Sequence, residues 1–164
     1  MHRMLREIKL DWLHNPYKYR IRLLLILFRI CTFAYDRKLQ IPFLPILILY
    51  RIFSEWVCSI ELRPGTSVGA PLIIDHGFGL VINKNAKLGK GVHLRHGVTI
   101  GVRNMAQQNL GVSPVIGDNV EFGCYVSVLG DVKVSENVKL GAHSLVLRDV
   151  GPGEVFMGYS VRDY

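Results

Sequence analysis

An aliphatic or small residue occupies every sixth position from Leu62 to Val150, with one interruption. The positions are Leu62, Val68, Ile74, Leu80, Ala86, Val92 and Val98, followed by Val120, Val126, Val132, Val138, Ser144 and Val150. An α-helix would repeat at three and four residues, and an isolated strand at two. A period of six is typical of a hexapeptide solenoid. We therefore predict a triangular parallel β-helix in which each hexad supplies one short strand and one corner.

A second column lies two residues after the first and is also almost wholly apolar. It comprises Ala70, His76, Ile82, Leu88, Leu94 and Ile100, then Phe122, Val128, Val134, Leu140 and Val146. His76 is the one imidazole in this column, so the spacing predicts a histidine that points into the prism. A residue that breaks a local rule without local gain often marks a functional site.

Residues 1–60 differ in composition from the rest of the chain. They carry ten Lys/Arg against four Asp/Glu, and all 16 glycines lie after them. Helices are predicted over Met1–Asn15, Tyr17–Asp36 and roughly Ile46–Cys58. The apolar run Ile21–Tyr35 is too short to cross a membrane and contains two arginines. These helices are expected to pack on one another and on neighbouring subunits, and a basic amphipathic contact with a membrane surface is compatible with that role.

The pattern divides the chain into a helical segment (1–60), a solenoid (61–150) and a tail (151–164). The period fails between Gly101 and Pro114, so residues 102–113 are predicted to leave the prism as a loop. The three cysteines have no metal-ligand spacing and cannot all pair. A reducing cytoplasm is the simplest setting for them.

A cluster of titratable residues is predicted along one edge of the prism. One coil takes about 18 residues, and Glu61 and His96 lie 15 before and 20 after His76, with Asp75 beside it. A carboxylate that faces an imidazole fixes its tautomer, as a general base for an alcohol requires. The residues also allow other interpretations. His76 fits a buried core histidine, Glu61 a solvated junction residue, and Asp75 a turn residue.

The other histidines have no clear role in the predicted cluster. His93 and His143 have no recognisable partner and are expected at the surface. Zinc bound by His76, His93 and His96 is the alternative use of these side chains, although their spacing matches no common zinc motif.

Three stretches resemble the serine acetyltransferase family of left-handed β-helix acyltransferases. They are Ile74-Asp75-His76-Gly77-Phe78-Gly79-Leu80-Val81-Ile82, Val98-Thr99-Ile100-Gly101 and Pro114-Val115-Ile116-Gly117-Asp118-Asn119-Val120. Further stretches resemble the short colanic-acid-type exopolysaccharide acetyltransferases: Leu49-Tyr50-Arg51-Ile52, Val81-Ile82-Asn83-Lys84-Asn85 and Arg95-His96-Gly97-Val98-Thr99-Ile100-Gly101. The resemblance covers roughly residues 45–162.

This resemblance implies a left-handed β-helix, acetyl-CoA as the donor, no metal, and a homotrimer with active sites between adjacent prisms. The trimers of such proteins can also pair. It implies that His76 is the catalytic base, that Glu61 orients it and that Asp75 contacts the acceptor. It further implies that the backbone at Gly101, Cys124 and Ala142 binds the pantetheine arm, and that Arg162 lies near the CoA nucleotide.

The chain departs from serine acetyltransferases before Pro114, where Val112-Ser113 replaces their Arg-His pair. Without the guanidinium, a bidentate clamp for an amino-acid carboxylate is missing. The sequence therefore favours a sugar hydroxyl of a capsular or exopolysaccharide precursor as the acceptor. His96 is expected to contact the sugar or the acetyl oxygen.

Two alternatives remain at this point. Serine O-acetylation would need Arg103 or Ser113 to replace the clamp. A non-enzymatic or metal-bearing β-helix would need neither. No feature suggests a nucleic-acid partner, and a cytoplasmic location is expected.

Overall fold

The computed structural model describes residues 1–104 and 111–159, in which helices precede a three-sided parallel β-helix. The helices are α1 (His2–His14), α2 (Tyr19–Asp36) and α3 (Leu44–Ile52), and a π-helical turn (Phe53–Val57) continues α3. The strands are β1 (Ile60–Leu62), β2 (Ser67–Val68), β3 (Leu72–Asp75), β4 (Leu80–Ile82), β5 (Lys87–Leu88), β6 (Val92–Arg95), β7 (Thr99–Gly101), β8 (Val115–Ile116), β9 (Glu121–Phe122), β10 (Ser127–Leu129), β11 (Lys133–Val134), β12 (Lys139–Leu140), β13 (Leu145–Val146) and β14 (Val155–Phe156).

Every third strand joins the same sheet, so the chain winds around three faces. Sheet 1 has the order β1-β4-β7-β10-β13, sheet 2 the order β2-β5-β8-β11, and sheet 3 the order β3-β6-β9-β12-β14. All pairings are parallel. The parallel β-helix predicted from the period of six is confirmed. The final strand, β14, continues sheet 3 past Val150, where the hexad pattern ends.

The register shows that the first coil is two residues longer than the second. Ile60 pairs with Leu80, a separation of 20, whereas Val81 pairs with Thr99, a separation of 18. Asp75 still pairs with Arg95 at a separation of 20, so the extra residues lie between Asp75 and Val81.

Because of this insertion, residues of the first apolar column in the first coil pair with residues of the second column in the next coil. The period of six continues along the sequence. Because the columns are two residues apart, Leu62, Val68 and Ile74 stack on Ile82, Leu88 and Leu94 of the second column. The first-column positions of the first coil are taken by Ile60, Thr66 and Leu72, all fully buried. His76 falls within the inserted corner and is exposed. The prediction that His76 points into the prism is therefore wrong.

Helix α1 covers the open edge of sheet 3 with polar side chains. The Asn15 amide donates to Leu72 O at 2.9 Å and accepts from Ile74 N at 3.0 Å, while Asp11 accepts from Leu72 N at 2.8 Å. Arg29 of α2 donates to Asp11 at 2.8 Å and to Val68 O at 2.6 Å. The hydrogen bonds that a further strand would make to β3 are thus supplied by side chains.

The apolar core runs continuously from the prism into the helices. Leu24, Leu25 and Phe28 of α2 are fully buried, together with Tyr50 of α3 and the inward residues of the strands. Among the described residues, no helix is long and apolar enough to cross a membrane.

Candidate active site

The corner between sheet 3 and sheet 1 brings four of the predicted site residues onto one edge of the prism. We call this the histidine edge; successive coils contribute to it residues 76–79, 96–98, 123–126 and 141–144. Backbone hydrogen bonds connect the coils: Gly97 N donates to Phe78 O at 2.8 Å, Tyr125 N to His96 O at 2.9 Å, and His143 N to Cys124 O at 2.8 Å. Parallel coils lie about 4.8 Å apart, so the edge is a regular ladder.

His76 stands at the first step of this ladder in a left-handed backbone conformation, with φ of 52°. A non-glycine residue in this region is uncommon, and a strained backbone persists where the surrounding structure holds it. Phe78 N donates to His76 O at 2.8 Å, which closes the tight turn. The imidazole therefore projects into solvent from a rigid corner and can reach a bound hydroxyl.

Rings follow one another along the edge from His76 onward. The centroids of His76 and His96 are 6.4 Å apart and edge to face, and those of His96 and Tyr125 are 5.1 Å apart in the same arrangement. Tyr125 stacks on His143 at 5.1 Å with an interplanar angle of 14°. His76, Phe78, His96 and Tyr125 line an open groove of about 650 Å³.

Among the described residues, His96 has one ring nitrogen without a partner beneath the surface of this groove. Its Nδ1 is buried, and within the described part of the chain it has no hydrogen-bond partner. A buried polar atom without a partner is unfavourable unless a ligand or water completes it. The His96 ring lines the groove beside His76, so a ligand in the groove can contact it.

Tyr125 was not recognised from the sequence, although a signal existed. Its φ of 57° matches that of Gly79 (64°) and Gly97 (70°) at the same corner position of the preceding coils, so a large aromatic ring occupies a position that favours glycine. The ring packs over Gly97, where an added Cβ would lie 2.3 Å from Tyr125. His143, expected at the surface, is exposed and stacked on Tyr125.

Asp75 is held by two partners from outside the predicted cluster. Lys18 Nζ donates to one carboxylate oxygen, and His93 Nε2 contacts the other. Partial burial would raise the pKa of Asp75, but the bonds and charges of Lys18 and His93 outweigh this effect and lower it below its ordinary value. The expectation that His93 has no partner is therefore wrong. It lies on the outer face of sheet 3 beside Ile73 and Glu121.

Glu61 lies on the outer face of sheet 1 beside Val81. Its carboxylate accepts from Arg63 Nη2 at 3.2 Å and Nε at 3.3 Å. Among the contacts of the described residues, this ion pair takes the place of the expected bond to His76. A small cavity on the outer face of sheet 1 is lined by Glu61, together with Ser59, Arg51 and Arg63.

The residues expected to bind the donor fall on two edges. Cys124 and Ala142 stack on the histidine edge directly after His96, as a donor arm that runs along this edge would require. Gly101 ends β7 at the opposite end of sheet 1, where its carbonyl accepts from Gly130 N at 2.9 Å. Arg162 lies outside the described residues.

The residues expected to bind the acceptor are likewise divided. Ser113 is buried and donates to Asn83 Oδ1 at 3.2 Å, at the corner between sheets 1 and 2 that we call the loop edge. Arg103 is exposed on the same edge, directly after β7. Within one chain these two residues lie across sheet 1 from His76, His96 and Asp75.

Comparison with known proteins identifies the family. The chain is 40% identical over 118 residues to a protein of Escherichia coli K12 named colanic acid biosynthesis acetyltransferase WcaB, a match over 72% of this chain and 71% of that protein. The chain belongs to the hexapeptide-repeat acetyltransferases. Residues 113–148 also match the bacterial transferase hexapeptide family, described as six repeats.

Serine acetyltransferases are similar over a smaller part of their length. The Mycobacterium tuberculosis enzyme is 35% identical over 65% of this chain, which spans about half (45%) of that enzyme. The solved serine acetyltransferase 1 of Entamoeba histolytica superposes with a TM-score of 0.77 at 24% identity, covering 96% of this chain and 63% of that one. A serine acetyltransferase in complex with CoA superposes with a TM-score of 0.68 at 21% identity, covering 87% and 55%.

These findings confirm the resemblance and the fold class inferred from the sequence, a left-handed parallel β-helix with N-terminal helices. They also show that the protein is an acetyltransferase. In its structure, the exposed His76 stands on a rigid corner beside His96. No group of three His, Cys, Asp or Glu among the described residues is placed to hold a metal ion.

Proposed function

We propose that this acetyltransferase moves an acetyl group from acetyl-CoA to a sugar hydroxyl of a capsular polysaccharide or exopolysaccharide, or of its precursor. The observation that carries the proposal is the 40% identity to a protein named for colanic acid biosynthesis, which extends over most of both chains. The exposed His76 imidazole supplies the group that such a transfer needs.

His76 takes the proton of the sugar hydroxyl while the hydroxyl oxygen attacks the thioester carbonyl of acetyl-CoA. The carbon–sulfur bond breaks, the acetyl ester forms, and the imidazolium returns the proton to the leaving CoA sulfur. His96 is the candidate donor to the acetyl oxygen or contact to the sugar. Glu61 orients His76 in this proposal, which requires its carboxylate to exchange Arg63 for the imidazole.

A homotrimer is part of the proposal. Its support is the separation of the candidate residues: His76, His96, Cys124 and Ala142 lie on the histidine edge, whereas Gly101, Arg103 and Ser113 lie on the loop edge. Two neighbouring prisms can bring these edges together at one site, as homo-oligomers with cyclic symmetry do.

A cytoplasmic location with the helices near the inner membrane is also part of the proposal. Its support is the excess of basic residues in positions 1–60, ten against four acidic ones.

Serine O-acetylation is the second candidate, favoured by the 35% identity to the Mycobacterium tuberculosis enzyme. Two features oppose it. Val112-Ser113 provides no guanidinium for a carboxylate, and Asp75 is already bonded to Lys18 and His93.

CoA release from acetyl-CoA distinguishes the two candidates. The purified protein is incubated with L-serine or with capsule-type oligosaccharides, and free thiol is followed over time. We expect release with the oligosaccharide and ester formation on it by mass spectrometry. Release with L-serine alone would replace the proposed acceptor by an amino acid.

A further inference from the structure

An apolar cavity of about 380 Å³ lies between α3 and the loop edge of the first coil, and none of the chemistry above uses it. We call it the α3 cavity. Its apolar lining is Tyr35, Leu47, Ile48, Tyr50, Ile52 and Pro64, and its charged residues are Arg51, Arg63 and Lys84. An apolar wall with a few convergent polar groups is the usual character of a small-molecule site.

The three cations give the rim of the cavity a net positive charge. Arg51 pairs with Glu55 and Arg63 with Glu61, and each guanidinium has further donors to offer. Lys84 Nζ lies 5.2 Å from the centroid of the Tyr35 ring, and within the described residues it has no carboxylate partner. This rim therefore suits an anion, and phosphate is an anion that both arginine and lysine bind.

The cavity opens onto apolar surface on one side and adjoins, on the other, the face of sheet 1 that leads to the histidine edge. Leu44, Ile48 and Ile52 follow at intervals of four on the same face of α3, and each is about half exposed (53%, 52% and 52%). Arg51 and Arg63 also line the cavity that holds Glu61. The run from Pro64 back to Ser59 crosses sheet 1 to the histidine edge, where Gly79 N donates to Ser59 O at 2.8 Å; at about 3.3 Å per residue this is roughly 16 Å.

We propose that the α3 cavity binds the carrier of the acceptor, a single-chain isoprenoid lipid that ends in a phosphate or diphosphate. The chain lies against Leu47, Ile48 and Ile52, the phosphates bond Arg51, Arg63 and Lys84, and the attached sugars extend over Glu61 toward His76. This inference rests on the proposed glycan acceptor and specifies it: acetylation takes place on the lipid-linked precursor. A second copy of the chain is the alternative occupant, since tyrosine and arginine are enriched at subunit interfaces, and sedimentation distinguishes it from the lipid.

Calorimetric titration of the full chain with farnesyl diphosphate tests the site. We expect saturable binding of one ligand per chain, with farnesol and inorganic diphosphate each binding at least about tenfold more weakly, because each keeps only one half of the recognition. Ile48→Gln and Lys84→Gln are expected to weaken binding about tenfold. Leu49→Gln and Lys87→Gln are the matched controls, because both are exposed neighbours that do not line the cavity.

Several results would overturn the site. Inorganic diphosphate that binds as tightly as farnesyl diphosphate would indicate an adventitious anion. Equal losses for Ile48→Gln and Leu49→Gln would indicate nonspecific adhesion of lipid to the helix. Sedimentation in which Ile48→Gln, but not Leu49→Gln, dissociates the assembly would make the cavity a subunit interface.

The readout is independent of acetyl transfer. Farnesyl diphosphate binding without transfer to any glycan would leave the lipid site and remove the proposed function. Transfer to an oligosaccharide without lipid binding would leave the function and remove this inference.

Discussion

At the scale of single residues, the backbone of His76 matters as much as its ring. The residue sits at φ of 52°, in an exposed corner that contains two inserted residues. Its side chain makes no contribution to the interior of the prism. Substitution here therefore tests the proposed catalytic role separately from stability, provided that the new residue accepts a positive φ, as asparagine does.

We expect His76→Asn to lower acetyl transfer by a factor of about 10² to 10⁴, the usual contribution of a general base. The urea midpoint should stay close to that of the wild type. Lys38→Asn is the matched control: it has a φ of 56° and is exposed, but it follows α2 and lies outside the histidine edge. Comparable losses in the two variants would show that the base is not His76.

Asp75 is the residue for which the structure predicts a pH dependence of stability. The bonds from Lys18 and His93 lower the pKa of the folded carboxyl below its ordinary, unfolded value. Its stabilising contribution is therefore complete above the unfolded pKa of about 3.9. It is lost as the pH falls through the lower folded value.

We expect Asp75→Asn to reduce the free energy of unfolding by about 1 kcal/mol at pH 7, the size of a good but partly exposed ion pair. The difference from the wild type should shrink below about pH 4. Urea unfolding at pH 7, 5, 4 and 3 measures it, with the exposed Asp131→Asn as control. A difference that persists unchanged at pH 3 would show that Asp75 does not act through its charge.

At the scale of elements, α1 takes the place of a missing strand. Asp11 of this helix and Asn15, the residue at its C-terminal cap, are four residues apart and reach β3 together. The carboxylate and the amide satisfy the amides of Leu72 and Ile74 and the carbonyl of Leu72. An uncovered parallel edge would leave these groups unpaired next to the core.

We expect Asn15→Ala to destabilise the protein by about 3 kcal/mol, because two buried groups of β3 lose their partners. Urea unfolding measures the loss, and hydrogen exchange at the amide of Ile74 locates it. The exposed neighbour substitution His14→Ala should change neither. Unchanged protection of the Ile74 amide in Asn15→Ala would show that the edge is covered by other means.

At the scale of the whole molecule, the candidate residues lie at both ends of the strands of sheet 1. A complete site on one prism would have to span the full width of sheet 1. Two prisms side by side bring the histidine edge of one chain against the loop edge of the next. The proposed trimer then has three equivalent sites, each built from two chains.

Mixing two inactive variants tests this arrangement. His76→Asn removes the base, and Gly101→Trp is expected to obstruct the donor arm without disturbing its own chain, since a Cβ at Gly101 meets no atom within 4 Å. After co-refolding in equal amounts, about a quarter of the sites should carry both intact edges, and activity should return to that fraction. No recovery in the mixture would place the complete site within one chain.

The sequence by itself determined the β-helix. In a parallel coil the inward residues stack on one another, so each turn must repeat the same apolar spacing, and that spacing is visible along the chain. The family motifs around His76 and Pro114 were readable for a similar reason, since a tight corner and its functional side chain are neighbours in sequence. Tyr125 was readable in principle, because it occupies a corner position where the previous coil has Gly97.

Only the tertiary structure decided which way the candidate side chains point and which partners they contact. The two-residue insertion between Asp75 and Val81 equals the spacing of the two apolar columns, so the period continued while His76 moved from the inside to the outside. Lys18 and His93 reach Asp75 from 57 and 18 residues away, and Arg63 reaches Glu61 where a histidine was expected. The contacts of Asp75 depend on how the junction between α1 and α2 packs on the coils, and charge pairing between distant residues leaves no periodic trace in the sequence.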